Sequence, residues 1–174
     1  MNNDNTNPMM DWTMQMVRER LEHKSNVLNR TLPPAITQLE AIHQQLRVKA
    51  LHEKQQNDNL EKAVQLAQMA TSIQSIRASM ATILRNVSPV GANNQHHPDQ
   101  QSSDLGEKVM LNASLAICGS GAVASMLRQL LEALSRVEFN GEGDDTVVQE
   151  SCAVLRDACR TIETEVTADI PTHL

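Results

Sequence analysis

The apolar residues of this sequence recur at helical spacing, most regularly between positions 66 and 87. Alternating steps of three and four positions connect Leu66, Met69, Ile73, Ile76, Met80, Ile83 and Val87. This spacing lines the seven side chains along one side of an α-helix, and it is typical of helices that pair with other helices. We call these seven residues the 66–87 stripe and predict that they bind a partner helix.

A second stripe lies upstream and carries Leu39, Ile42 and Leu46 at the same spacing. These three residues complete the main set of predicted partner-binding residues. The pattern then meets Lys49 and Glu53, and the 66–87 stripe resumes one position out of phase. Such a shift loosens a coiled coil locally. Two structures fit it, namely one helix of roughly 80 Å or two stacked segments that break near residues 55–59.

Proline and glycine predict where helices end. Pro33 and Pro34 lack a backbone N–H and disfavour helical geometry in the residue before them, so we predict a break there. A hairpin and a kinked rod both satisfy this pattern. Gly119 and Gly121 interrupt a later apolar stretch, where the helix either breaks or packs closely against a neighbour.

The predicted fold class is all-α, elongated, with coiled-coil and hairpin helices built around one long central helix. The predicted parts are a disordered tail at 1–8, an N-terminal coiled-coil region at 9–88 with helices at about 9–30 and 34–87, a flexible linker at 89–104, and a C-terminal helical region at 105–168 with helices at about 105–138 and 145–167. In the last region, secondary partner-binding residues are predicted at Leu127, Leu130, Leu134, Leu155 and Ile162.

Composition agrees with thin helical contacts rather than a thick core. The 174 residues include one Trp, one Phe, no Tyr and nine Met. The formal net charge of −6 is uneven, because residues 1–90 carry +2 and residues 91–174 carry −8. An acidic half argues against a general nucleic-acid binder, which needs a basic face. Direct nucleic-acid binding is therefore not expected.

Two features bear on location. Residues 109–127 contain no charged side chain and approach the length of a membrane span, but their polar and small residues favour a buried bundle helix. The first eight residues are rich in Asn and lack the apolar core of a secretory signal. We therefore expect a cytoplasmic protein with reduced thiols.

No residue pattern predicts catalysis, a metal or a cofactor. Glu40 and His43 match one Glu-x-x-His element, whereas di-iron bundles need two such elements and two further Glu. His96 and His97 lie in the predicted linker. The three Cys are widely spaced and match neither a disulfide framework nor a zinc site.

The predicted function is that of a non-catalytic coiled-coil subunit in a larger eukaryotic assembly. The layout is similar to small helical subunits of spindle, kinetochore, augmin and vesicle-adaptor complexes, in architecture and without a diagnostic motif. This likeness implies a cytoskeletal or spindle role and helical partners, with a hetero-oligomer favoured over a homodimer. Trp12 is either a packing anchor or a binding hot spot. The alternatives are a self-contained bundle that binds a small ligand and a membrane-associated helical subunit.

Overall fold

The computed structural model describes residues 8–87, 102–139 and 142–168. Over these ranges the chain is all-helical, with no strand, as the sequence predicts. The helices are α1 (Pro8–Gln55), α2 (Leu60–Val87), α3 (Ser102–Leu134) and α4 (Glu142–Thr161), and a π-helical turn, Ile162–Val166, continues α4.

The four helices contact one another in cyclic order. α1 packs against α2 and α4, and α3 packs against the same two helices. The Asn29 side chain donates to the Val87 carbonyl at 3.4 Å, and Gln74 Nε2 lies 3.1 Å from His43 Nε2. The residue number falls along α2 as it rises along α1, so these two helices are antiparallel.

All four helices contribute to one apolar core. Its largest fully buried side chains are Leu28, Leu32, Leu39, Ile42, Leu46, Ile73, Met80, Leu127, Leu155 and Ile162. Aliphatic side chains and Met thus supply the volume that aromatics supply in other cores. The apolar stripe of each helix is covered mainly by the stripes of its neighbours.

The break predicted at Pro33 and Pro34 is wrong, because α1 runs through both residues. Both prolines are exposed, whereas the neighbouring Leu32 and Ala35 are fully buried. The backbone acceptors that the prolines leave unpaired therefore belong to the outer side of the helix. Burial of the inner side offsets the cost of about 3 kcal/mol that proline imposes within a helix.

The chain reverses instead at residues 56–59, where the stripe shifts phase. Asp58 has φ 47°, a left-handed conformation that Asp tolerates better than most residues. The Asn59 N–H donates to the Glu53 carbonyl at 3.0 Å and closes α1. The Asn59 side chain accepts from the Lys62 N–H at 3.1 Å and caps α2. One helix over 34–87 is thus replaced by two antiparallel helices.

The C-terminal helices differ little from their predicted bounds. α3 and α4 each begin three residues earlier than predicted, and α3 ends at Leu134 rather than 138. Gly119 and Gly121 do not interrupt α3. A Cβ at Gly119 would lie 3.9 Å from the Ile83 side chain, and one at Gly121 would lie 3.6 Å from Thr167. The small residues thus let neighbouring chain segments approach.

Two predicted segments, the tail at 1–8 and the linker at 89–104, fall mainly outside the described residues. Where the ranges overlap, the structure is helical. Pro8 begins α1, and residues 102–104, predicted as the end of the linker, belong to α3.

Pro34→Ala should stabilise the protein. The substitution restores a backbone donor and removes a ring clash inside α1, so we expect the free energy of unfolding to rise by about 1 to 3 kcal/mol in urea titrations. For Pro34→Gly, the rise in the free energy of unfolding should be about 1 kcal/mol smaller than for Pro34→Ala, because Gly is a poorer helix former. A loss of stability in both variants would contradict a continuous helix, because proline at a true break stabilises by restricting the unfolded chain.

A buried ionic cluster closes the turn end of α1 and α2. The Glu53 carboxylate is nearly fully buried and lies 3.1 Å from Lys62 Nζ and 3.9 Å from Lys49 Nζ. The Asn57 amide donates to it at 2.9 Å. Chiefly the hydrogen bond from Asn57, and then Lys62, hold the pKa of Glu53 below its ordinary value. Glu53, which interrupts the apolar stripe in the sequence, is therefore a buried carboxylate with ionic and hydrogen-bond partners.

Glu53 should make stability depend on pH. Its folded-state pKa is depressed, so the ionised group stabilises the fold above its unfolded pKa, and this contribution is lost as the pH falls through the folded value. We expect Glu53→Gln to be less stable than the wild type near neutral pH and to converge with it in acid, in urea titrations down to about pH 3. Glu150→Gln, at an exposed site, should follow the wild-type profile, and parallel profiles for Glu53→Gln would refute the role of this carboxylate.

Candidate interaction surface

The structure places the predicted partner-binding residues inside the chain's own core. Of the main set, only Met69 is half-buried, and all five secondary residues are buried. The buried members are Leu39, Ile42, Leu46, Leu66, Ile73, Ile76, Met80, Ile83, Val87, Leu127, Leu130, Leu134, Leu155 and Ile162. A partner helix could reach these side chains only by displacing a helix of this chain.

The candidate chemical groups are occupied in structural contacts. Glu40 pairs with Arg77, and His43 contacts Gln74. Burial raises the pKa of the Cys152 and Cys159 thiols, which disfavours the nucleophilic thiolate. In the three described ranges, no three His, Cys, Asp or Glu residues stand together as a metal site would require.

The uncharged stretch of α3 belongs to a longer apolar segment. Residues 106–134 are long and apolar enough to cross a membrane by length and composition alone. The side of this segment that carries Ala116, Val123 and Leu127 is buried in the core. Core helices pass the same composition test, so the segment is weak evidence for a membrane span.

The first exposed apolar surface is the beginning of α1. All ten residues from 11 to 20 are exposed, including Trp12 at 65%. Met9, Met14, Met16 and Val17 add exposed apolar side chains. We call residues 9–20 the N-terminal arm.

The arm is exposed because α1 is longer than its neighbour. α1 has 48 residues and α2 has 28. Asn29 contacts Val87, the last residue of α2, so the part of α1 before Asn29 extends past the end of α2. Among the described side chains of α1, those that line the cleft with the π-helical turn begin at Met16. Trp12 thus lies outside the packing contacts that the first interpretation of this residue predicted.

The second exposed apolar surface lies between α1 and α2 near their connecting turn. Val48 and Leu51 of α1 and Leu60 and Val64 of α2 are all exposed. They line one groove, whose further lining includes Ala50, Ala63, Ala67 and Ala70. We call it the turn-end groove. Sequence periodicity does not predict this groove, although Val48, Leu51 and Val64 are large apolar residues outside the stripes.

Comparison with known proteins does not narrow the function. No protein-family model matches the chain, and searches of curated proteins and of solved structures return no match. The function proposed below is therefore based on the geometry of the two exposed surfaces.

Ile73→Ala tests where the 66–87 stripe belongs. Because Ile73 is fully buried within the chain, we expect the isolated protein to lose about 2 to 4 kcal/mol of unfolding free energy in urea titrations. Gln68→Ala, on the exposed side of the same helix, should change it by less than about 0.5 kcal/mol. If Ile73→Ala unfolded at the wild-type urea concentration, the stripe would not be a core element of the isolated chain.

Proposed function

We propose that this protein is a non-catalytic interaction subunit that enters a larger assembly by helix–helix pairing through its N-terminal arm. The observation that carries this proposal is an unbroken run of exposed residues, 11–20, on a helix rich in large apolar side chains. The pairing mechanism is the one predicted from sequence, moved from the buried stripes to the end of α1.

Three physical arguments support the arm as a binding element. Most of the stability of a helix comes from packing of its apolar side chains, which the arm lacks within the chain, so the arm gains stability when a partner covers it. Trp is enriched among the residues that dominate binding free energy, and Trp12 is 65% exposed. Met side chains adapt to different partner surfaces, and Met14 and Met16 are exposed on the same arm.

The arm carries acidic and basic side chains next to these apolar ones. Asp11 and Glu19 alternate with Arg18 and Arg20. Charges that flank an apolar stripe select partner and orientation more than they add affinity. We therefore favour a helical partner of defined sequence over a membrane surface. Placement in a cytoplasmic, cytoskeletal or spindle complex stays a prediction from architecture.

A self-contained bundle that binds a small apolar ligand is the second candidate. Mutual coverage of the four apolar stripes favours it, as does a crevice between α2 and α3 lined by Met69 and Met126. This crevice also carries Ser72, Ser75 and Gln129, which would contact polar groups of a ligand. The two candidates differ in the size of the native particle.

The size of the native particle in cells of the source organism tests the proposal. We expect the tagged full-length chain to sediment as a complex larger than its own 19.3 kDa. Combined Trp12→Ala and Met16→Ala should release it as the free chain. Loss of one Trp hot spot costs at least about 2 kcal/mol, roughly thirtyfold in affinity.

Leu111→Ala is the matched control, because Leu111 is as exposed as Trp12 but lies on α3. This variant should stay in the complex. Urea titration of both purified variants should give wild-type stability, which separates lost binding from lost folding. A wild-type chain that sediments as a monomer, or an arm variant that stays in the complex, would refute the proposal.

A further inference from the structure

The turn-end groove has a shape that could accommodate one further helix. Two antiparallel helices form its walls, where Val48 and Leu60 are 64% and 63% exposed. Four alanines lie between the larger side chains. Small residues let another backbone approach two helices closely, and the apolar walls remove its side chains from water.

The groove is open because α3 and α4 pack elsewhere. α4 meets α1 at Gln38, where Ser151 Oγ donates to Gln38 Oε1 at 2.7 Å. α3 meets α2 on the side that carries Ile83 and Ile76. All described residues that line the groove belong to α1 or α2. Packing of the four-helix core thus leaves this side of the α1–α2 pair uncovered.

The charged side chains that line the groove are basic. Among the described residues that line it, Arg47 and Lys54 carry charge, and both are basic. His43, Gln44, Thr71 and Gln74 supply the remaining polar groups. The groove therefore complements an apolar surface with negative charge at its border.

We propose that the turn-end groove binds an amphipathic helix of a partner protein, with Asp or Glu flanking its apolar stripe on the side that meets α1. The lining of α2 extends from Leu60 to Gln74, roughly 21 Å at 1.5 Å per residue, so the bound helix has about four turns. Such helix-in-groove recognition places apolar anchors at positions i, i+3, i+4 and i+7. This site shares no residue with the N-terminal arm, and the two proposals stand or fall separately.

A pair of synthetic peptides tests the groove on the full-length protein. Both are helical 16-mers with Leu at the anchor positions, and they differ only in carrying Glu or Lys beside the Leu stripe. Fluorescence anisotropy should show the Glu peptide binding about tenfold more tightly than the Lys peptide, because two attractive contacts replace two repulsive ones. The difference should shrink as salt is added.

Charge reversal in the protein supplies the matched controls. Combined Arg47→Glu and Lys54→Glu should reverse the preference toward the Lys peptide. Combined Arg18→Glu and Arg20→Glu, in the arm, makes the same change in net charge and should leave the preference intact. Leu51→Ala with Leu60→Ala should weaken both peptides at unchanged unfolding free energy.

Three outcomes would overturn the proposal. The first is that neither peptide binds, or that both bind with equal affinity. The second is that the arm variant shifts the preference as much as the groove variant does, which would indicate a net-charge effect. The third is a wild-type dimer in sedimentation that Leu51→Ala with Leu60→Ala dissociates, which would assign the groove to a second copy of this chain.

Discussion

The structure depends on the mutual burial of one apolar stripe from each helix. A helix with a single stripe is not stable alone, and this chain has almost no aromatic side chains to enlarge its core. Each helix must therefore lie along others for most of its length. α1 is much longer than α2, so the length that α2 leaves uncovered becomes the arm. The mismatch in helix length thus links the core to the candidate interaction surface.

Periodicity in the sequence predicted which residues are buried, but not what covers them. An apolar residue such as Ile73 needs a neighbouring helix, and the same spacing serves a helix of its own chain or of another chain. The spacing alone therefore predicts partner binding, whereas the fold buries these side chains within the chain. Pro33 and Pro34 show a related limit, because a local rule predicted a break that burial of Leu32 and Ala35 overrides.

The role of the polar residues Lys49 and Glu53, which interrupt the apolar stripe, is evident only from the three-dimensional contacts. The sequence alone predicts a locally loosened coiled coil at these positions. In the fold, Lys62 and Asn57 meet Glu53 from α2 and the turn. A buried carboxylate without such partners would be strongly destabilising. The cluster favours the antiparallel pairing, since a continuous rod over 34–87 would hold Lys62 about 13 Å along the axis from Glu53.

The apolar residues of the two exposed surfaces differ from those of the core in how much they contribute to folding stability. The stability of the fold explains why Leu28 and Ile73 are large and apolar, because replacing either residue with Ala would leave a cavity in the core. The stability of the fold does not explain the apolar side chains of Trp12, Val48 or Leu60, since polar residues at exposed helix positions change the free energy of unfolding little. Scattered exposed apolar residues are ordinary, but grouped ones mark interaction sites. The grouping of such residues in one arm and one groove is the basis of the two binding proposals.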